Sequence, residues 1–262
     1  MFRRRPKHAG SRKKKLVTIV VVVLGLLAGA AIGTVALYRH GYLQINHPTL
    51  KDYPVRGVDV SGFQRTIDWP RLVENKKIDF AFIKASEGAQ VQDRRYRQNW
   101  SAARGLVARS AYHFFTFCAS GQTQATNFLD VLAQGSELPP AVDVEFSGNC
   151  TSYKSTAAVR EQLQIFLSVV RAATQRTPIL YVTSQSYDRI VRGYFDSYPL
   201  WVRDVVSAPS NADYPHLLFW QYAGNGRADG VRGLIDLNAF VGSKGEYRTF
   251  LKSGVVPRRS TV

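Results

Sequence analysis

From Gly57 to Phe240 the chain alternates short runs rich in β-branched and aromatic residues with amphipathic runs of helical period, and this alternation constrains its fold most. Eight runs read as strands: Gly57 to Ser61, Asp79 to Ser86, Ser110 to Phe117, Pro140 to Phe146, Pro178 to Ser184, Leu200 to Val206, His216 to Ala223 and Gly233 to Phe240. The helices between the first six have readable ends. Asp68 caps one with Pro70 in its first turn, Tyr96 to Arg104 stops at Gly105, and Gln122 to Gln134 stops at Gly135. A helix over Thr156 to Thr174 carries Val159, Leu163, Phe166 and Val170 on one stripe, and Tyr187 to Gly193 gives a fifth, short one. Strands joined by helices pair in parallel, and eight of them close as a barrel. The last two connections, Ser207 to Pro215 and Gly224 to Arg232, fall short of the dozen or so residues that a parallel crossover needs, so antiparallel pairing is expected there. The expected fold is α/β, a modified TIM-like barrel of five βα units followed by three strands without helices.

The net charge of +16 suggests nucleic acid until it is divided along the chain. Arg3, Arg4, Arg5, Lys7, Arg12, Lys13, Lys14 and Lys15 crowd residues 1–15, which hold no acid and read as a basic cytoplasmic tail. Residues 16–38 carry no charge and are about as many as cross a bilayer in a helix. The basic block before them predicts a cytoplasmic N terminus and an extracytoplasmic remainder. The run exceeds the 7 to 15 apolar residues usual in a signal peptide, which favours an uncleaved single-pass anchor in the cell membrane. Residues 39–55 hold Gly41, Asn46, Pro48 and Pro54 without a sustained period and read as a linker. The folded domain is expected over 56–255, with a short tail at 256–262. Its own basic excess suits an anionic polymer or a membrane surface. An interleaved basic and aromatic surface for nucleic acid is not found, and a monomer is expected.

Pro140-Ala141-Val142-Asp143-Val144-Glu145-Phe146 carries the chemistry. On a strand Asp143 and Glu145 share one face while Val142, Val144 and Phe146 take the other. Mutual repulsion and apolar neighbours should keep one of the two protonated near neutrality. A proton donor beside an anionic partner is what glycoside hydrolysis requires, although two solvated acids at a strand end would share the spacing. Asp59 and Asp236, at the ends of the first and last strands, would join them in one barrel mouth; each alone also fits a hydrogen-bonded strand end.

Gly57-Val58-Asp59-Val60-Ser61 with Gln64 and Ile67-Asp68-Trp69, then Phe82-Ile83-Lys84-Ala85-Ser86-Glu87-Gly88, Tyr112-His113-Phe114-Phe115, Leu138-Pro139-Pro140, Asp143-Val144-Glu145, Leu200-Trp201, Trp220-Gln221-Tyr222 and Asp236-Leu237-Asn238 resemble glycoside hydrolase family 25, the Chalaropsis-type lysozymes. The resemblance runs in order from about residue 55 to 243. It implies a (β/α)5β3 barrel and an N-acetylmuramidase that cuts the β-1,4 bond between N-acetylmuramic acid and N-acetylglucosamine in peptidoglycan. Glu145 would be the general acid and Asp143 would assist the substrate's acetamido group, with Tyr181 donating a hydrogen bond nearby. Asp59 and Asp236 would hold the site's charge, and Gln64 is expected beside the substrate. The segment after Leu200-Trp201-Val202 departs from the pattern: Arg203, Asp204 and Val205 stand where a small residue and then an aromatic one are expected.

Tyr112, Tyr181, Trp201 and Trp220 are expected to wall a sugar cleft, with core packing the competing reading. His113 faces away from Tyr112 and reads as a structural histidine. Cys118 and Cys150 follow neighbouring strands, and outside the cytoplasm a disulfide is expected over two free thiols. Zinc-ligand spacing, a glycine-rich phosphate loop and an EF-hand are all missing, so neither metal nor cofactor is expected.

Overall fold

The structure, a computed structural model, describes residues 9–254 and 256. It falls into two compact units, Met1–Leu43 and Gln44–Val262. The first holds helix α1 (Ala9–Arg39), of which Lys14–Arg39 is long and apolar enough to cross a membrane. Residues 44–55, expected as linker, belong to the second unit: Tyr53 packs on Trp220 at 5.2 Å between ring centroids.

The second unit is the barrel. Its elements are β1 (Arg56–Val60), α2 (Trp69–Lys76), β2 (Ile78–Glu87), β3 (Val91–Gln92), α3 (Tyr96–Ala102), β4 (Ala108–Phe114), α4 (Gly121–Val131), β5 (Ala141–Val144), α5 (Thr156–Thr174), β6 (Ile179–Thr183), α6 (Ser184–Ser186, continued by a π turn at Tyr187–Val191), β7 (Leu200–Arg203), β8 (Leu217–Gly226), β9 (Ile235–Phe240) and α7 (Lys244–Ser253). Eight strands close the barrel because β1 pairs with both β2 and β9, while β3 is a short antiparallel flap on β2. The sequence reading finds neither β3 nor α7.

The antiparallel expectation is half corrected. β7 and β8 pair in parallel, and of the pairings that close the barrel β8–β9 and β9–β1 are antiparallel. The reason is strand length. β7 ends at Arg203, leaving residues 204–216 as the connection, enough for a parallel crossover without a helix. Helix α4 also stops early, with Leu132 as its C-cap, while Gly135 lies in the following turn at a φ of 81°.

Pleat alternation divides the interior in two. Outward residues such as Val58, Ile83, Val142 and Val182 pack under Leu72, Phe128, Leu163 and Phe166 of the helices. Inward residues Phe80, Phe82, Ile179, Trp201, Phe219 and Phe240 fill the barrel itself. Helix α7 shuts the end where the parallel strands begin, with Tyr247 against Phe80 and Phe250 against Phe219. Its start is a capping box in which Ser243 and Glu246 satisfy each other's backbone. The barrel is therefore open only at the other end, where the parallel strands finish.

Cys118 and Cys150 are bridged, with Cα atoms 5.9 Å apart, which ties the loops after β4 and β5. Gly57 faces inward, and a Cβ there would overlap the Phe80 ring. Replacing it forces the Phe80 ring to shift. Gly57→Ala should lower stability by about 1–3 kcal/mol, read as a fall in the urea midpoint at unchanged slope.

Candidate active site

β1, β5, β6, β7, β8 and β9 each send an inward polar side chain to the open end. Together they line a cavity of about 530 Å³ with Asp59, Tyr112, Asp143, Glu145, Tyr181, Trp201, Arg203 and Asp236 on its walls. A larger cavity of about 1040 Å³ lies at the closed end, but its acids are Asp79 and Glu137, and Glu137 is paired with Arg109 at 3.0 Å. Chemistry rather than size selects the smaller one.

Asp59 is the hub. Its Oδ2 accepts hydrogen bonds from Gln221 Nε2 at 2.8 Å and Asn238 Nδ2 at 2.7 Å. Each donor is oriented by a further partner: Tyr181 Oη donates to Gln221 Oε1 at 3.1 Å, and Trp201 Nε1 donates to Asn238 Oδ1 at 2.7 Å. Asp236, opposite Asp59 in the β1–β9 pairing, shares a hydrogen bond with it. Burial raises the pKa of both. The charge and hydrogen bond of Asp59 add to that at Asp236, whereas the donors around Asp59 hold its own rise back. These surroundings favour the shared proton on Asp236 over Asp59.

Asp143, on β5, is buried, and its Oδ1 has no hydrogen-bond partner among the described residues. Burial lifts its pKa well above the ordinary carboxylate value, and the neighbouring Glu145 charge lifts it further. Glu145 follows one residue after β5 and is more open. Burial raises its pKa too, while Arg203 and Lys84 restrain the rise. Asn149 fixes its main chain: Nδ2 donates to the carbonyls of Glu145 at 2.8 Å and Phe115 at 2.9 Å, and Oδ1 accepts from Phe117 N.

The aromatic expectations divide. Trp201 is the floor of the cavity, stacked on Phe82 at 4.0 Å and met edge-on by Tyr181 at 4.5 Å. Tyr112 stands beside it, with no hydrogen-bond partner for its hydroxyl among the described residues. Trp220 lies outside the barrel, its Nε1 donating to Asp204 O at 2.7 Å. Strand alternation explains this, since Phe219 and Gln221 on either side point inward. Gln64 does not line the cavity. It completes the turn after β1, with Oε1 accepting from Ser61 N and Nε2 donating to Leu234 O at 3.2 Å. The hydroxyl proton of Tyr181, expected to reach the substrate, is directed to Gln221 instead.

His113 is structural as expected. It sits between Ser86 Oγ at 2.8 Å and Gln124 Oε1 at 3.2 Å, and burial lowers its pKa to about 3. Gln221, Asn238 and Asn149 are the residues that sequence reasoning missed. The first two lie inside quoted motifs: Asn238 shares strand parity with Asp236 on β9, and Gln221 pairs opposite Asn238 from β8. Among the described residues, no group of three or more His, Cys, Asp or Glu is placed to hold a metal ion.

The raised pKa of Asp143 has a stability consequence whose sign follows from proton linkage. An acid with a higher pKa folded than unfolded binds its proton more tightly in the folded state. Its stability is greatest below the unfolded value of about 4 and declines as pH rises toward the folded value. Asp143→Asn removes that decline. The variant should melt higher than the wild type at pH 7, and its advantage should vanish as pH falls to about 4.

The family model for "Glycosyl hydrolases family 25" matches residues 58–231. Lysozyme M1 of Streptomyces globisporus is 33% identical over 202 residues, covering 72% of this chain and 68% of its own. An uncharacterized Escherichia coli K12 protein, YegX, is 32% identical over 267 residues, 92% of this chain and 95% of its own. A family 25 glycosyl hydrolase structure from Bacillus anthracis superposes with a TM-score of 0.72 at 32% identity, covering 80% of this chain and 98% of that one. The four-acid mouth, the (β/α)5β3 barrel and these likenesses agree: the chain belongs to glycosyl hydrolase family 25 and is a glycoside hydrolase of lysozyme type.

Proposed function

We propose that the protein is a membrane-tethered N-acetylmuramidase that hydrolyses the β-1,4 bond between N-acetylmuramic acid and N-acetylglucosamine in peptidoglycan. The observation that carries this reading is the pairing of a buried acid, Asp143, one of whose oxygens has no hydrogen-bond partner among the described residues, with a more exposed acid, Glu145, whose pKa is raised. Glu145 gives its proton to the leaving glycosidic oxygen. The Asp143 carboxyl receives the N–H of the substrate's 2-acetamido group and turns its carbonyl oxygen toward the anomeric carbon. That oxygen closes an oxazolinium ring as the glycosidic bond breaks, water then opens the ring with Glu145 taking its proton, and configuration is retained. Asp59, with Asp236 protonated beside it, supplies a fixed negative charge below the developing oxocarbenium ion.

Trp201 and Tyr112 offer rings to the apolar faces of the pyranoses. The apolar run of residues 16–38 in helix α1, preceded by the basic block, anchors the chain with the barrel outside the cytoplasm. A substrate held close to the membrane favours the cell's own wall.

Digestion of purified peptidoglycan, with new reducing ends identified by mass spectrometry, tests the reading. Muramic acid ends should appear with the wild type, and Glu145→Gln should lower kcat by about 10²- to 10⁴-fold. Glucosamine ends, or none, would reject it. The first product should be the retained anomer, and its rate should fall as pH rises through the raised pKa of Glu145, because only the protonated form donates.

A further inference from the structure

Arg203, the first of the three residues expected to depart from the family pattern, lies in the cavity wall. It ends β7, in register with Thr183 on β6 and Gln221 on β8, and is half-buried. Its guanidinium makes no hydrogen bond or ion pair among the described residues; the ion pairs found there use Arg71, Lys84, Arg109 and Arg192. Gly224 lies beside it: a Cβ there would stand 3.7 Å from Arg203 Nη2 and 3.4 Å from Asp236 Oδ1, both ordinary contacts. A half-buried guanidinium holds five donors in a planar fork that fits a carboxylate with two parallel hydrogen bonds. Here the fork is presented to the cleft with its donors open.

The nearby protein carboxyls do not fill it. Asp59 is engaged by Gln221, Asn238 and Asp236, and Asp59, Glu145 and Asp236 each reach Arg203 only through space. The complementary group must therefore arrive with the substrate. N-acetylmuramic acid differs from N-acetylglucosamine by a lactyl ether on C3, whose carboxyl group is either joined to the stem peptide as a neutral amide or free as an anion. Only the free carboxylate offers two equivalent anionic oxygens to a fork.

We propose that Arg203 is a specificity-determining residue that binds the free lactyl carboxylate of muramic acid, so that the enzyme prefers glycan strands from which stem peptides have been removed. This rests on the muramidase reading and names the form of substrate that its cleft selects. The reaction that must supply such strands is hydrolysis of the lactyl–peptide amide. Water adds across the C–N bond, the carboxylate stays on the sugar, and the peptide leaves with a free amine.

The test uses the full chain in detergent and two glycan substrates of matched length, with and without stem peptides. The wild type should show the lower KM on peptide-free strands. Arg203→Ala should raise that KM about 10- to 100-fold more than the KM on peptide-bearing strands, and Arg203→Lys, a charge without the fork, should recover part of the difference. Because both substrates are read on one preparation, incomplete folding of a variant cancels from the ratio. Equal losses on the two substrates, accompanied by an upward shift of the basic pH limb, would show that Arg203 only offsets the charge of Glu145 and would overturn the proposal. A wild type that does not distinguish the strands would overturn it as well. Titration of each strand into Glu145→Gln, with and without Arg203→Ala, separates the two readings: selective binding that Arg203→Ala abolishes supports the carboxylate site even where no muramic acid ends appear, and binding that ignores the peptide overturns it.

Discussion

One buried carboxylate, Asp59, sets the arrangement of the whole mouth. It draws Gln221 from β8 and Asn238 from β9 onto one oxygen, and through them fixes Tyr181 of β6 and the indole of Trp201 on β7. Five strands are thus referenced to a single charge. An unpartnered buried donor costs about 1–3 kcal/mol, so none of these side chains can turn away independently. The floor and the acid wall of the cleft are one object, and the substrate meets a surface that is already organised.

That organisation is held against electrostatic strain. Four carboxyl groups share a partly buried mouth, and burial raises the pKa of every one. The barrel offsets this with two different interiors. Its lower half is a solid aromatic plug of Phe80, Phe82, Phe219 and Phe240, capped by α7, and its outer shell is a separate aliphatic and aromatic core under the helices. The polar layer is a small fraction of the interior, which lets the rest of the fold carry it.

Much of this was legible in the residues. Alternation of period 2 and period 3.6 gave eight strands and five helices near their observed places, because a parallel barrel buries whole strands that read as continuous apolar runs. The acids were visible because Asp143 and Glu145 interrupt such a run at strand parity. What escaped was whatever depends on where a strand stops. The end of β7 at Arg203 decides that β7 and β8 are parallel, and nothing local separates Arg203 from Asp204. Trp220 was misplaced for want of applying parity to Gln221 beside it, and α7 was missed although Ser243 and Glu246 carry the capping-box spacing. Asn149 stayed hidden because its work is on backbone carbonyls, which leave no pattern in side chains.

The bridge between Cys118 and Cys150 closes a loop of 32 residues that contains all of α4 and β5, and Asn149 lies directly beside it. On the chain-entropy model that closure is worth about 3–4 kcal/mol. It forms only where an oxidant is present. The segment that seats Glu145 is thus tightened by the chemistry of a compartment as well as by the sequence. A copy that lingers among reduced thiols lacks the clamp on its acid-bearing loop and is the more readily opened to proteases. The cleft is in this sense set by redox chemistry, and a reduced copy is a looser molecule than an oxidised one.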